Sequence, residues 1–489
     1  MTPMLTLMTI LRMKAHATRI QGWHNMVGTL ARRVQFARAL RSRRFALLWS
    51  GQTISAIGDG AFFTALAWQV LALTGSAAAM GITLVAQTVP LVLFMLVGGV
   101  VADRLPRRMT LLWSDGGRSV VTLIVAALGL AGRLQFWHLV VLSALFGLAE
   151  AFFRPAYQSI PPELVPVDDL PSANALSSLT RNVTTLVGPA IGAALVSIVS
   201  PAGAFAFDGL TFIISAICLL LMGRVDGPAR VRAQTRAYAA RQVEGVSDVA
   251  PASVGALPGT QMDPPAAPDE RAEVGSTAPG AGRGLRGVLA DIREGLGYVT
   301  GSTWLWVTIA MASLGNVAFA PLQVSLPRLV RDSYHQGVWL LGAILTALSV
   351  GSILATLVMG QFKRLRHRGI VGYTCLIVSS IGLALFGIHV SPQDAPILGM
   401  ASGALMGAGL GVFEIIWITT MQELVPPDKL GRVSSVDWLG SLCLQPIGLV
   451  VTGALTDRIG PAWVFIGGGV FSAALVALAL LTPGIRQLD

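Results

Sequence analysis

Asp59 and Glu414 each stand inside a long apolar stretch with no cation beside them in the sequence. A charged side chain at mid-membrane depth costs roughly 2.5–3.5 kcal/mol on insertion scales, so each needs a partner, a wet cavity or a task. A carboxyl group has one task at hand, because it can take up and release a proton without moving the chain. Asp59 is read as the leading proton or substrate group and Glu414 as the second. The plainer alternative is a structural carboxylate bonded to a neighbouring helix. Asp208 and Arg181 sit nearer the ends of their runs, where each either lines a cavity or snorkels toward a polar boundary. Glu150 and Arg154 are spaced i,i+4 in the favourable order for an ion pair, and Asp115 and Arg118 lie similarly close together. Gln52, Asn316 and Gln323 are uncharged hydrogen-bonding groups within apolar runs and are read as cavity-facing.

Other chemistries lack their residues. Cys218, Cys375 and Cys443 each fall inside an apolar run and give neither a disulfide framework nor metal-ligand spacing. The histidines are scattered, with no HExxH pair, and no lysine follows a glycine, which excludes a P-loop within this chain. No metal, nucleotide or other cofactor is expected, and the absence of a clustered His/Asp/Glu/Cys set counts against an enzyme.

The elements that must hold these groups are set by composition. The chain has 489 residues, 53% apolar and 12% charged, against roughly 45–50% and about 25% in a soluble domain. Its mean hydropathy is +0.68. A membrane helix needs about 20 apolar residues. Twelve such runs are placed at 45–72, 77–101, 110–131, 136–154, 175–199, 203–223, 304–329, 338–362, 370–390, 396–420, 434–456 and 461–482. The fold class is therefore an all-α polytopic membrane protein in two six-helix units, 45–223 and 304–482.

Charge orients the spans. With the basic start on the inside, 29 of the 35 Lys and Arg residues fall in inside segments and 4 in outside loops. By the positive-inside rule both termini are cytoplasmic. Residues 1–44 carry nine basic residues and no acid, and are read as a cytoplasmic tail in preference to a transit peptide. Residues 224–284, rich in Pro and Gly, read as a disordered linker. Leu285, Val288, Ile292, Leu296 and Val299 then fall at helical spacing, so 285–303 is expected to be an amphipathic helix on the inner membrane surface. Residues 483–489 form a second short tail.

The two units repeat. Gly99 pairs with Gly360 and Arg107 with Arg368 at one offset, and Glu163-Leu-Val-Pro166 recurs as Glu423-Leu-Val-Pro426. Parallel halves with a site between them are a transporter architecture.

Gly99-Val-Val-Ala-Asp103-Arg104-Leu-Pro-Arg107-Arg108, closing the second run, resembles the G-x3-D-R-x-G-R-R signature of the major facilitator superfamily. Pro106 replaces the usual glycine, which keeps a turn but loses a positive φ. The resemblance extends over nearly all of residues 45–482. It implies that Asp103 faces the positive end of a helix in the other half, near Ser434 and Ser435. Arg104, Arg107 and Arg108 would then pair with acids across the boundary between halves. Asp115, Arg118, Glu150 and Arg154 are assigned to the same inner gate. Gly188-Pro189-Ala-Ile-Gly192 resembles the core of the superfamily's antiporter motif. Gly51 to Asp59, Phe153 to Ala156 and Pro161 to Pro166 resemble the bacterial branch that includes enterobactin exporters and macrolide efflux pumps.

These resemblances imply a secondary exporter of a small amphiphilic organic compound, such as a drug, siderophore or secondary metabolite. Proton antiport and alternating access would drive it. The expected partners are the bilayer of the inner membrane, the cargo and protons; nucleic acid is not among them, and a monomer is expected. A proton-coupled importer or facilitator is the alternative within the class. A non-transporting scaffold, receptor or enzyme is the alternative outside it.

Overall fold

The computed structural model describes residues 37–223, 285–361 and 367–488. Among them, twelve helices are long and apolar enough to cross a membrane, the number the apolar runs predict. The first six are α1 (Arg43–Thr74), α2 (Ala77–Arg104), α3 (Arg107–Leu130), α4 (Phe136–Ser159), α5 (Leu170–Ile198) and α6 (Pro201–Leu221). The second six are α7 (Thr303–Ser333), α8 (Val338–Met359), α9 (Arg368–Leu385), α10 (Ala395–Leu424), α11 (Lys429–Ile459) and α12 (Pro461–Leu480). Most of the expected tail, residues 1–36, and the expected linker, 224–284, lie outside the described residues, as do Lys363, Arg364 and Arg366.

Local chemistry sets the helix ends. The Ser42, Ser76 and Ser200 hydroxyls accept hydrogen bonds from the Phe45, Ala79 and Gly203 N–H groups, capping α1, α2 and α6. Gly75, at φ 65°, closes α1, and Gly460, at φ 85°, closes α11. Both adopt a backbone that L side chains resist. α7 is interrupted at Pro321 and Pro327, which have no N–H to donate, and ends in a π turn at Leu329–Ser333.

The helix Leu285–Gly301 precedes α7. Its last turns dock on the start of α11. Val299 is buried, Glu294 pairs with Arg432 at 2.6 Å, and the Lys429 ammonium lies 5.5 Å from the Tyr298 ring centroid. Leu296 stays exposed.

Close helix packing repeats between the halves. A Cβ on Gly147 would stand 1.9 Å from the Gln87 carbonyl oxygen, and one on Gly407 would stand 1.9 Å from that of Leu348. α4 therefore presses on α2 as α10 presses on α8, at equivalent positions of the repeat. The apolar side chains that face outward suit lipid, where helices associate by packing and not by hydrophobic collapse.

The first residues of α1, the α2–α3 and α4–α5 connections, the start of α9 and the C-terminal residues share one end of the bundle. Ser42 bonds Leu164, Arg107 bonds Glu163, and Gly369 bonds Leu488 there. This is called the basic end.

A branched side chain at Gly147 must force α4 off α2. Gly147→Val is expected to lower the melting temperature of the detergent-solubilised protein, at a cost of about 1–3 kcal/mol. Gly116→Ala, where a Cβ meets nothing within 4 Å, should leave the midpoint unchanged or slightly raised. Equal midpoints for the two variants would contradict the packing described.

Candidate functional site

A cavity of about 410 Å³ lies between the halves. Phe63 of α1, Leu84, Gln87 and Thr88 of α2 and Glu150 and Arg154 of α4 form one wall. Gln323 of α7 and Trp438, Leu439 and Cys443 of α11 form the other. Apolar walls with a few polar groups suit an organic ligand. Gln323 lies in the interrupted stretch of α7, and irregular backbone at membrane depth is tolerated where it lines a cavity.

The halves are sealed on one side of this cavity. Gly81 of α2 approaches the Leu449 carbonyl, and Gly453 of α11 approaches Ala78. Asp457, at the end of α11, accepts hydrogen bonds from the Ala77 N–H at 2.8 Å and the Ala78 N–H at 3.1 Å, and from the Ser76 hydroxyl. Arg328 pairs with Asp457, and Arg331 donates to the Leu71 carbonyl. The cavity lies between this seal and the basic end.

At mid-depth the antiporter-like segment works in two directions. Gly188 meets Gly60 and Gly192 meets Ala61, so both pack α5 on α1. Pro189 has no N–H for the Thr185 carbonyl one turn back. The Ser349 hydroxyl of α8 donates to that carbonyl at 2.7 Å, and Thr346 donates to the Leu186 carbonyl at 3.2 Å. The proline thus leaves an acceptor in one half that the other half uses.

Behind the cavity wall lies a buried charged cluster within the first half. Arg118 pairs with Asp115 at 2.6 Å and approaches Asp59 at 3.7 Å. Its guanidinium stacks between the rings of Phe153 and Phe212, at 4.3 and 4.4 Å from their centroids. Asp115 also accepts from Gln52 at 3.1 Å and Ser215 at 2.7 Å. Asp208 is fully buried, and neither of its carboxylate oxygens has a hydrogen-bond partner. It fits against α1 because Gly58 has no side chain: a Cβ there would meet the Asp208 oxygen at 2.6 Å. Three carboxylates thus face one guanidinium. Asp59 is the least enclosed of them, 27% exposed where Asp115 and Asp208 are 0%. It lies one turn from Phe63 on the same face of α1, and Phe63 lines the cavity. Glu150 and Arg154, paired at 2.6 Å, act on Asp59 electrostatically from α4.

The structure redistributes the residues singled out by sequence. Asp115 and Arg118 sit with Asp59 in the buried cluster and not in a gate, because aromatic rings and Gln52 hold them inside the half. Gln52 is 4% exposed and bonded to Asp115, so it does not face the cavity. Asp208 neither lines the cavity nor snorkels. Asn316 donates to the Ser441 carbonyl and ties α7 to α11. Arg181 is exposed and bonds Ser178 on its own helix. Glu414 is exposed and continues the stripe of Gly403, Gly407 and Gly411 on α10. Gln323 lines the cavity as expected, and Glu150 and Arg154, assigned to the inner gate, line it as well.

In the signature segment, Arg107 pairs with Glu163 at 2.6 Å, and Arg108 donates to the Leu219 and Leu220 carbonyls. These partners are in the same half and not across the boundary, because the α4–α5 connection and the end of α6 lie closer. Burial pushes the Glu163 carboxyl above the ordinary carboxylate range, although Arg107 opposes it. In the second half Arg368 pairs with Glu423. The Arg and Glu landmarks of the sequence repeat are therefore the two members of one ion pair, built twice. A side chain at Gly99 would meet open space. The side chains of Asp103 and Arg104 lie outside the described residues. α11 starts two turns before Ser434 and Ser435, near Pro427, so its positive end is not at those serines.

Sequence inspection missed the depth coincidence behind the cluster. At about 1.5 Å per residue, Asp59 is about 24 Å along α1 from the basic end and Arg118 about 16 Å along α3, within two helical turns of each other. It also missed Asp457, which ends a helix and looks like an ordinary loop acid.

Comparison with known proteins agrees with this architecture. The family model of the Major Facilitator Superfamily matches residues 48–441, and the chain belongs to that family. Macrolide efflux protein A of Streptococcus pyogenes is 20% identical over 450 residues, covering 91% of this chain and 97% of its own. The multidrug efflux pump Tap of Mycolicibacterium fortuitum is 26% identical over 458 residues, with 91% and 96% covered. Among solved structures, a POT family transporter in complex with 5-aminolevulinic acid superposes with a TM-score of 0.63 at 13% identity, covering 91% of this chain and 97% of that one. A bacterial homologue of the iron transporter ferroportin, in an inward-facing state, gives 0.61 at 15% identity, with 90% and 99% covered. The chain is a multi-pass membrane protein of a transporter family, resembling its efflux members.

Removing the guanidinium leaves three carboxylates without a counter-charge. Arg118→Gln is expected to destabilise the protein by about 3–5 kcal/mol, read as a lower melting temperature and a loss of monodisperse protein in detergent. A midpoint like that of the unsubstituted chain would show that Arg118 does not hold the cluster together.

Proposed function

We propose that this protein is a secondary active exporter of small amphiphilic organic compounds, driven by inward proton flow. The basic end faces the cytoplasm, in line with the bias of Lys and Arg toward it. The observation that carries the reading is that Asp59, the least enclosed acid of the buried cluster, lies one turn from the cavity-lining Phe63 on the same face of α1. Three carboxylates and one guanidinium bear surplus negative charge in a low-dielectric bundle, and proton uptake relieves it. Asp59 is the member that a proton or a cargo molecule in the cavity can reach. Cargo and proton then compete through one wall, which is what exchange requires. The seal on one side of the cavity and the open basic end correspond to one of the two states of alternating access, with the halves rocking about the cavity. The relatives, named for macrolide and multidrug efflux, support an outward direction and an organic cargo, and the apolar walls with Trp438 beside a few polar groups suit an amphiphilic one. Gly99 to Arg108 gates the basic end, and Glu414 is the second proton candidate.

The test is pH-driven efflux of a macrolide and of a fluorescent lipophilic cation from proteoliposomes. Asp59→Asn, which mimics the protonated form, should abolish pH-driven transport while leaving cargo binding and gradient-free exchange. Glu414→Gln is the matched comparison. Unchanged efflux in Asp59→Asn with Glu414→Gln inactive would move the proton role to α10. Full activity in both would end the proposal that either acid carries the proton.

A further inference from the structure

We infer that Gly453 to Gly460 is a second gate segment, and that Asp457 holds the halves together on the side of the cavity away from the basic end. The inference rests on the transport reading above. Gly453-Ala-Leu-Thr-Asp457-Arg458-Ile-Gly460 has the spacing of Gly99-Val-Val-Ala-Asp103-Arg104-Leu-Pro106. The first closes α11 and the second closes α2. Gly81 and Gly453 bring these two helices together antiparallel across the boundary between halves. The two segments therefore lie at opposite ends of one helix pair, each at the C-terminus of its helix, and the one in α11 sits beside the N-terminus of α2.

The contacts of Asp457 show what such a carboxylate does. The first N–H groups of a helix have no partner within it, and the helix carries partial positive charge there. In α2, Asp457 takes the Ala77 and Ala78 N–H groups while Ser76 takes that of Ala79. The first turn of a helix in one half is thus completed by a side chain of the other half. Arg328 of α7 holds the carboxylate from behind, and in its own half Arg328 is braced by Asp332 at 3.2 Å. Beside it Arg331, bound to the same Asp332 at 2.7 Å, donates to the Leu71 carbonyl at the C-terminus of α1. An anion meets the positive end of α2 and a cation meets the negative end of α1, so both contacts are favourable between charge and helix dipole. When the halves part on this side, these N–H and C=O groups pass to water, so the seal is reversible. Asp457 favours the state open at the basic end, and Asp103, at the other end of the pair, favours its alternate.

The experiment reads the two states directly. The three native cysteines are replaced by serine, spin labels are placed through Arg133→Cys and Gln393→Cys in the loops away from the basic end, and the label distance is measured in reconstituted protein. Asp457→Asn keeps the shape and removes the charge. It should raise the ratio of long to short distances about fivefold, the size of one lost charge–dipole contact. Ser76→Ala, which removes a donor to Asp457 and leaves the carboxylate in place, should shift the ratio the same way by less, and serves where Asp457→Asn fails to fold. Asp103→Asn should shift it the opposite way. An unchanged ratio in Asp457→Asn and Ser76→Ala, or a shift toward the short distance, would overturn the inference, as would a shift of the same sign from Asp103→Asn. Two distances with no shift would leave the transport reading standing; a single distance in every variant would remove both.

Discussion

In hydrocarbon no water is available to satisfy a backbone N–H or C=O, so every group a helix leaves unpaired must find a partner inside the protein. Most features of this structure answer that demand. Serines cap α1, α2 and α6, and glycines with positive φ close α1 and α11. The proline of α5 is the informative case. It breaks one backbone bond in the middle of a membrane helix, and the freed Thr185 carbonyl is bonded by Ser349 from the other half. The same demand places Asp457 on the start of α2. Three of the bonds that join the halves thus use backbone groups that helix geometry leaves free.

The charged cluster answers a second form of the same cost. Arg118 is enclosed by two aromatic rings and one close carboxylate, an arrangement that stabilises a guanidinium without water. Asp115 accepts from Arg118, Gln52 and Ser215, so both of its oxygens are bonded. Asp208 has the opposite character, fully buried without a bonded oxygen. Asp59 stands between them, with Oδ2 toward Arg118, Oδ1 unbonded, and a side chain that is partly exposed. The three acids therefore differ in surroundings: one fixes the arginine, one is shut in, and one is partly exposed near the arginine.

Much of the fold is legible in the sequence because its signals are long. Twenty-residue apolar runs count the helices, and the repeated Arg107 and Arg368 mark the two halves. The ion pair those landmarks make, Arg107 with Glu163 and Arg368 with Glu423, is not legible, since more than fifty residues separate its members. The same limit applies to the cluster. Asp59, Asp115 and Asp208 are visible one by one as charges in apolar runs, but which helix faces which is a matter of packing. Gly58 and Gly60 decide it locally by letting α6 and α5 approach α1, and a glycine in a glycine-rich membrane helix carries no mark of the neighbour it admits. Gln52 shows the same limit: a glutamine in an apolar run reads equally well as a cavity group or a buried partner.

Contacts within and between the halves differ in their polar bonds. Helices meet glycine on backbone inside each half, as Gly147 on Gln87 and Gly407 on Leu348, and also between the halves, as Gly81 on Leu449 and Gly453 on Ala78. Among the described residues, the hydrogen bonds between the halves run from hydroxyl to carbonyl or carboxylate, from N–H to carboxylate and from guanidinium to carbonyl. Each is worth about 0.5–1.5 kcal/mol net for a neutral pair and about 1.5–3 kcal/mol when one partner is charged, and each can be exchanged for water near the membrane surface. Thr346 and Ser349, at mid-depth, lie where rocking displaces the helices least, so their bonds can survive the motion. The bonds at Asp457 lie where rocking displaces the helices most, so they must break. A small set of polar bonds at one end, opposed by a comparable set at the other, leaves the two states within a few kcal/mol of each other. Under the proposed function, a proton on one carboxylate or a cargo molecule against one wall would be enough to choose between them.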